Sequence, residues 1–307
     1  MTHTTSTATA VPVVKPDEMR AWSAFVHKVS GIFLDPSKTY LIQTRLADLY
    51  RTTGAGDWSD LLRRVQMDPT GRYRNQVVNA ITTNETSFFR DRTPFDLLRH
   101  KLIPDLIDRR RREGYKRVPI RIFSAACSTG QEVYSTIIML DELLGDLLKY
   151  DLQIAGTDIS DQAVAQASSG VYSPLETGRG LTPAQVNRYF QPVNGGFKVR
   201  DNYRFMASFR KANLLDPYAV SGSYDIVFCR NVGIYFREEE RRILFRLMGS
   251  LLKPDGALII GSTESLTGFC PNLEAKRHLR SVYYQRKTGT SATHSPASGK
   301  ILISSTR

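Results

Sequence analysis

IRIFSAACSTGQ, residues 120–131, holds a strand, a loop and a helix start in twelve positions. Ile120–Phe123 reads as a short strand, Ser124–Gly130 as a loop of small residues, and the helix is expected from Gln131 to about Tyr150. Such a loop lets a backbone approach a ligand closely at a helix N-terminus. It has a single glycine rather than the three of the dinucleotide fingerprint, so a pyrophosphate cradle is not indicated.

Outward from there, Leu152–Thr157, Asp225–Cys229 and Ala257–Gly261 read as further strands, with helical segments between most of them. That alternation predicts an α/β fold with a parallel, doubly wound sheet. The interval 171–212 breaks the rhythm: Phe197–Val199 and Tyr203–Phe209 look like a small antiparallel β-insertion. Lys253–Gly256 reads as a turn feeding the last strand. Upstream, Met19, Trp22, Phe25, Val26 and Val29 fall at helical spacing, and similar spacing recurs to Ile81 without a strand pattern. The expected division is a disordered N-terminus (1–15), a helical domain (16–92), an α/β domain (93–287) and a flexible tail (288–307).

At 307 residues the chain is long enough for two domains. Its 41% apolar and 23% charged residues suit a soluble globular protein, and no run approaches the roughly 20 apolar residues of a membrane span. Three scattered cysteines without a CxxC argue against a disulfide framework or a metal site, and for a reducing cytoplasm. The net charge of +12 suits either plain solubility or an acidic partner. No RNP-like aromatic strand, zinc finger or clear helix-turn-helix points to nucleic acid. Nothing suggests an obligate dimer, and a monomer is expected.

NETSFFRD (84–91) is a polar and aromatic cluster some thirty residues ahead of the glycine loop. It can reach that loop only if the fold carries it back, as a lid or wall. Asp158 ends the second strand, where an acid accepts hydrogen bonds from ribose hydroxyls, although it would serve equally as a helix N-cap. A ribose-binding acid without a phosphate cradle suggests S-adenosylmethionine. Asn213 could place an amide near the adenine, and Cys229-Arg230-Asn231 ends a strand at the carboxyl edge, where ligands bind in such sheets.

TTNETSFFRD (82–91), FSAACSTGQEVYS (123–135), AGTDIS (155–160), ANLLD (212–216), YDIVFCRNVGIYF (224–236) and LLKPDGALIIGSTESL (251–266) together resemble the CheR-type methyltransferases. That family methylates receptor glutamates with S-adenosylmethionine, leaving S-adenosylhomocysteine. The resemblance implies a helical N-terminal domain, then a Rossmann-like methyltransferase domain with an inserted antiparallel β-subdomain, which in some members docks a receptor C-terminal peptide. It places cofactor contacts on Asn84, Thr86, Arg90, Glu132, Asp158, Asn213, Leu214, Arg230 and Asn231. Gln131, Val133 and Gly233 depart from the family pattern, and Gly233 puts the substrate-side wall in question.

A glutamate carboxylate is already ionised at neutral pH, so no general base is needed, and none of the five histidines falls in these segments. Alignment and exclusion of water are what a protein can add. Phe88 and Phe89 suit the second task, or the core. Arg90 suits the methionine carboxylate of the cofactor. Tyr235, beside Arg230, suits the incoming glutamate, and these two are the candidate catalytic residues. Arg45, Arg51, Arg63, Arg64, Arg72, Arg74 and the run Arg109–Arg112 suit docking onto the acidic methylation helices of a chemoreceptor's cytoplasmic domain.

Overall fold

The computed structural model describes residues 11–287. The first ten residues of the expected disordered N-terminus, and the tail 288–307, lie outside the described residues. Within residues 11–15, Val14 is buried and the Pro12 carbonyl accepts the Trp58 indole N–H at 2.8 Å, while Pro12, Val13 and Lys15 are exposed.

The helical region comprises α1 (Pro16–Ser30), α2 (Thr39–Arg45), α3 (Ala47–Thr53), α4 (Trp58–Met67) and α5 (Arg72–Ile81). Their apolar stripes converge on Met19, Trp22, Ile42, Trp58, Leu61 and Val77, all buried in one cluster. Gly31, with φ 75°, ends α1 in a left-handed cap whose N–H donates to the His27 carbonyl. A Cβ there would stand 2.0 Å from a Leu215 methyl, so the absence of a side chain lets α1 abut the second domain.

A connecting arm follows, α6 (Thr93–Leu97) running through a π-turn at Leu98–Leu102 into α7 (Ile103–Arg112). Next come β1 (Val118–Ala125), α8 (Gln131–Leu144), β2 (Tyr150–Asp158) and α9 (Asp161–Ser169). The helix α8 stops at Gly145, short of the expected Tyr150, because a brief 3-10 turn and β2 take up the following residues. The insertion holds β3 (Val171–Tyr172), α10 (Pro174–Gly178), α11 (Pro183–Tyr189), β4 (Phe190–Val193), β5 (Gly196–Val199) and α12 (Asp201–Arg204). The chain closes with β6 (Ala207–Lys211), β7 (Tyr224–Cys229), α13 (Glu238–Ser250), β8 (Leu252–Ile260), β9 (Leu273–His278) and β10 (Ser281–Arg286).

The main sheet has the order β6-β2-β1-β7-β8-β10-β9, parallel from β6 to β8, with β10 and β9 antiparallel at one edge. Central β1 is buried on both faces, as parallel strands are, with Ile120, Ile122 and Phe123 at 1% exposure or less. Two readings are corrected here. The stretch Tyr203–Phe209 is not part of the antiparallel insertion: Tyr203 lies in α12, and Ala207–Lys211 pairs in parallel with β2 as an edge of the main sheet. The small sheet is instead β3-β5-β4. Lys253–Gly256 is a bulge within β8 rather than a turn, because the pairing jumps from Tyr224↔Leu252 to Ile226↔Ala257.

The N-terminal end of the sheet, opposite the glycine loop, is tied by Asp225. Its side chain is 2% exposed, receives Arg110 Nη2 at 3.0 Å and Lys253 Nζ at 2.9 Å, and accepts the Arg121 backbone N–H at 2.8 Å. Asp225→Ala leaves two cations without this partner and should lower the unfolding free energy by about 3–5 kcal/mol in denaturant titrations. A loss below about 1 kcal/mol would mean the network carries little stability.

Candidate functional site

The parallel strands open at their carboxyl ends into a cavity of about 280 Å³, between the sheet and the helical region. In the loop after β1, Ala126, Ser128 and Gly130 have φ of 54°, 51° and 94°. Left-handed backbone at two non-glycine residues persists only where neighbours hold it. Here Cys127 N–H donates to the Thr157 carbonyl at 2.9 Å, and Ser128 N–H donates to Asp158 Oδ2 at 2.9 Å. Gly130 is required by space, since a Cβ would meet that of Ala167 at 2.9 Å.

Asp158 also accepts Ser160 N–H at 2.9 Å, while the N-cap of α9 is Ser160 itself, whose hydroxyl accepts Ala163 N–H. Asp158 is therefore free of the capping role and lines the cavity. Burial pushes its carboxyl above the usual range, against the lowering effect of the Ser160 and Ser128 N–H groups.

NETSFFRD crosses the loop as expected of a wall. The Asn84 carbonyl accepts the Ser128 hydroxyl at 3.1 Å, and Phe89 N–H donates to Ser135 Oγ on α8 at 2.9 Å. Asn84, Thr86 and Arg90 line the cavity. Arg90 is half-buried, and its Nη1 donates to the Glu85 carbonyl at 2.8 Å. Phe88 and Phe89 do not line it. Phe88 stacks edge-on against Tyr172 and Phe190 in the core, and Phe89 against Phe95, so Phe95 supplies the aromatic wall instead.

Glu132 and Arg230 line the cavity and bind each other. Glu132 Oε1 accepts the Ser124 hydroxyl and Oε2 accepts Arg230 Nη1, both at 2.8 Å. Arg230 Nη2 donates to Asp91 at 3.0 Å and to the Arg90 carbonyl at 2.9 Å. The arginine, a candidate catalytic residue, thus braces strand, helix and lid. Its Nε, buried, meets no acceptor among the described residues. Asn213, Leu214, Asn231 and Tyr235 complete the expected set on the cavity wall.

Gly233 does not line the cavity. A Cβ there would meet Glu264 Oε1 at 2.9 Å and Phe245 at 3.1 Å, on the side facing α13, so its effect is on that packing rather than on a substrate wall. Gln131 accepts the Thr129 hydroxyl at 2.8 Å and Val133 lies in the core. Sequence reasoning missed Ser30 and Ile32 at the end of α1, and Ile81, Ile159 and Phe236, all cavity-lining. Ile159, beside Asp158, was within reach of motif reading; Ser30 and Ile32 carry no local signal.

The basic docking surface also needs correction. Arg45 is turned inward, donating to the Ile81 and Thr82 carbonyls and to Thr83 Oγ1, and so holds the approach to NETSFFRD. Arg110 is buried in the Asp225 network, Arg109 pairs with Asp255, and Arg63 and Arg64 pair with Asp60. Arg63 and Arg64 are nevertheless exposed, as are Arg51, paired with Asp48, and Arg72, Arg74, Arg111 and Arg112.

The donor set fits S-adenosylmethionine. Asp158 offers an acceptor for ribose hydroxyls, Asn213 an amide, Arg90 and the unpartnered Arg230 Nε offer donors for a carboxylate, and Phe95, Ile159 and Leu214 offer apolar walls. No group of three or more metal-ligating side chains occurs among the described residues, and none of their helices is long and apolar enough to cross a membrane.

Comparisons with known proteins identify the family. The profile for the CheR methyltransferase SAM binding domain matches residues 84–280, and that for the CheR all-alpha domain matches residues 17–82. Chemotaxis protein methyltransferase Cher2 of Pseudomonas putida is 39% identical over 275 residues, 88% of this chain and 98% of the relative. Chemotaxis protein methyltransferase 1 of Pseudomonas aeruginosa is 40% identical over 276 residues, again 88% and 98%. A chemotaxis protein methyltransferase of Vibrio parahaemolyticus is 39% identical over 278 residues, 89% and 98%. This chain belongs to the CheR methyltransferase family, and its cofactor is S-adenosylmethionine.

Proposed function

We propose that this methyltransferase esterifies glutamate side chains on the cytoplasmic helices of chemoreceptors. One observation carries the reading: every carboxylate on the cavity wall among the described residues is already engaged, Asp158 by the Ser128 and Ser160 N–H groups and by the ribose it is read to hold. No histidine or lysine lines it among the described residues. Glu132 is engaged by Arg230, the Glu85 carboxylate is paired with Arg179, and burial holds the Cys127 thiol well above its ordinary range. A nucleophile that must first lose a proton would find no acceptor for it. A carboxylate arrives ionised and needs none.

When bound, the cofactor supplies an electrophilic methyl on a sulfonium. The chain contributes position and dryness. Asp158 fixes the ribose end. Arg90 holds the carboxylate end. Tyr235, half-buried on the wall, has its carbonyl pinned by Phe33 N–H at 2.9 Å, and its hydroxyl aims the acceptor carboxylate. Exposed Arg72, Arg74, Arg111 and Arg112, with the net charge of +12, favour an acidic helix as acceptor. The edge strands β3 and β4 of the small sheet offer a receptor C-terminal peptide a place to add as a further strand. A single copy of the chain suffices for all of these roles.

The test is transfer of labelled methyl to receptor-containing membranes. Volatile label released by base identifies carboxyl methyl esters, whereas base-stable label would mean another acceptor chemistry. Tyr235→Phe should lower kcat about 5- to 10-fold, the scale of one hydrogen bond, with cofactor affinity unchanged. Wild-type turnover in that variant would remove Tyr235 from the transfer step.

Asp158 also makes a pH prediction. Ribose hydroxyls donate to its ionised form, so binding favours the deprotonated carboxylate and must weaken as pH falls through the raised pKa of the free protein. Calorimetry from pH 8 downward should show this loss. Asp158→Asn should bind weakly at every pH and without that dependence; an equal slope in both proteins would assign the titration to another group.

A further inference from the structure

We infer that Glu264 is a positioning residue for methyl transfer, locking the segment after β7 that carries Asn231 and Tyr235. The inference rests on the transferase reading above. Glu264 belongs to the GSTESL stretch (261–266) and does not line the cavity. Its carboxylate nevertheless gathers three backbone N–H groups from two turns. Oε2 accepts Asn231 N–H at 2.7 Å and Gly261 N–H at 2.9 Å, and Oε1 accepts Gly233 N–H at 2.9 Å. Its own N–H closes a turn onto the Gly261 carbonyl at 3.0 Å. Converging amides of this kind make an anion-binding concavity, and here a side chain of the same protein fills it.

Two glycines make the room. A Cβ at Gly261 would stand 2.6 Å from Oε2, and one at Gly233 would stand 2.9 Å from Oε1. Asn231, with φ 58°, lies in the left-handed region, where a non-glycine residue stays only if its surroundings determine it. The clasp on its N–H is that determinant. From Asn231 the chain enters a short 3-10 turn, Gly233–Tyr235, which delivers Val232, Tyr235 and Phe236 to the cavity wall. Glu264 therefore acts through Asn231, an expected cofactor contact, and Tyr235, a candidate catalytic residue, both on the cavity wall. The glycine that departs from the family pattern is what admits the carboxylate to the third amide.

Three variants test this: Glu264→Gln, Gly233→Ala and the double variant, each assayed for kcat, acceptor KM, cofactor affinity by calorimetry, and thermal midpoint. A glutamine nitrogen cannot accept an N–H, so Glu264→Gln breaks part of the clasp while keeping its shape. Its kcat at saturating cofactor and acceptor should fall about 10- to 100-fold, the scale of a misplacement near 1 Å. Cofactor affinity should change by no more than about threefold, because Asn231 is one contact among several. Gly233→Ala, with one added methyl against Oε1, should lower kcat less, and the double variant should be no slower than Glu264→Gln alone.

Wild-type kcat in folded Glu264→Gln overturns the inference. Independent, multiplying effects in the double variant overturn it as well, since the two changes would then not act on one clasp. If Glu264→Gln does not fold, Gly233→Ala decides alone: unchanged kcat overturns the role, and a loss in kcat at unchanged cofactor affinity sustains it. Wild-type protein that transfers nothing would instead sink the transferase reading, a result separable from failure of the variants.

Discussion

Arg230 leaves the end of β7 and ends in a space where 3% of its side chain is exposed, meeting Glu132 of α8 on one side and Asp91 of the overlying segment on the other. A guanidinium cannot sit so deep without compensating acceptors. The Arg90 carbonyl is drawn in as a third. The sheet edge, the helix that follows the glycine loop, and NETSFFRD are thereby held to one point. The cavity exists because these three elements converge there and leave a gap above the loop after β1.

The helical region shares in this. Asn79 on α5 receives the Ser160 hydroxyl and donates to Asp161, at the start of α9, and Arg45 holds the backbone of residues 81 and 82 as it enters the overlying segment. With Gly31 seated against Leu215 and Phe33 bonded to the Tyr235 carbonyl, the helices form one wall of the cleft. That explains why a segment far ahead of the glycine loop reaches it, and why Phe88 is occupied in the core while Phe95 faces the cavity.

Much of the fold was legible because the strands around Ile122, Ile154, Val227 and Ile259 are short apolar runs bounded by small or turn residues, and strand–helix alternation dictates a parallel sheet. What misled was local resemblance. Ala207–Lys211 carries the alternation of any strand, and only its partner β2 decides its sheet. Lys253–Gly256 has turn chemistry, yet four residues opposite Asp225 fit as a bulge. At the site, Asp158, Glu132 and Arg230 stand at strand ends or a helix start, where position implies use. Arg45 and Arg110 looked alike as surface charge, because burial and partners are properties of the folded chain. Ser30 and Ile32 were invisible, since they line the cavity only through the packing of two domains.

The account's central claim is that five separated stretches form one cofactor site. Backbone hydrogen exchange with and without S-adenosylhomocysteine tests it most directly. The predicted result is slowed exchange in 82–91, 126–132, 156–160 and 212–215 together, with 229–236 following. Protection confined to the glycine loop, with 82–91 unchanged, would contradict the claim that the segment closing the helical region is part of the site.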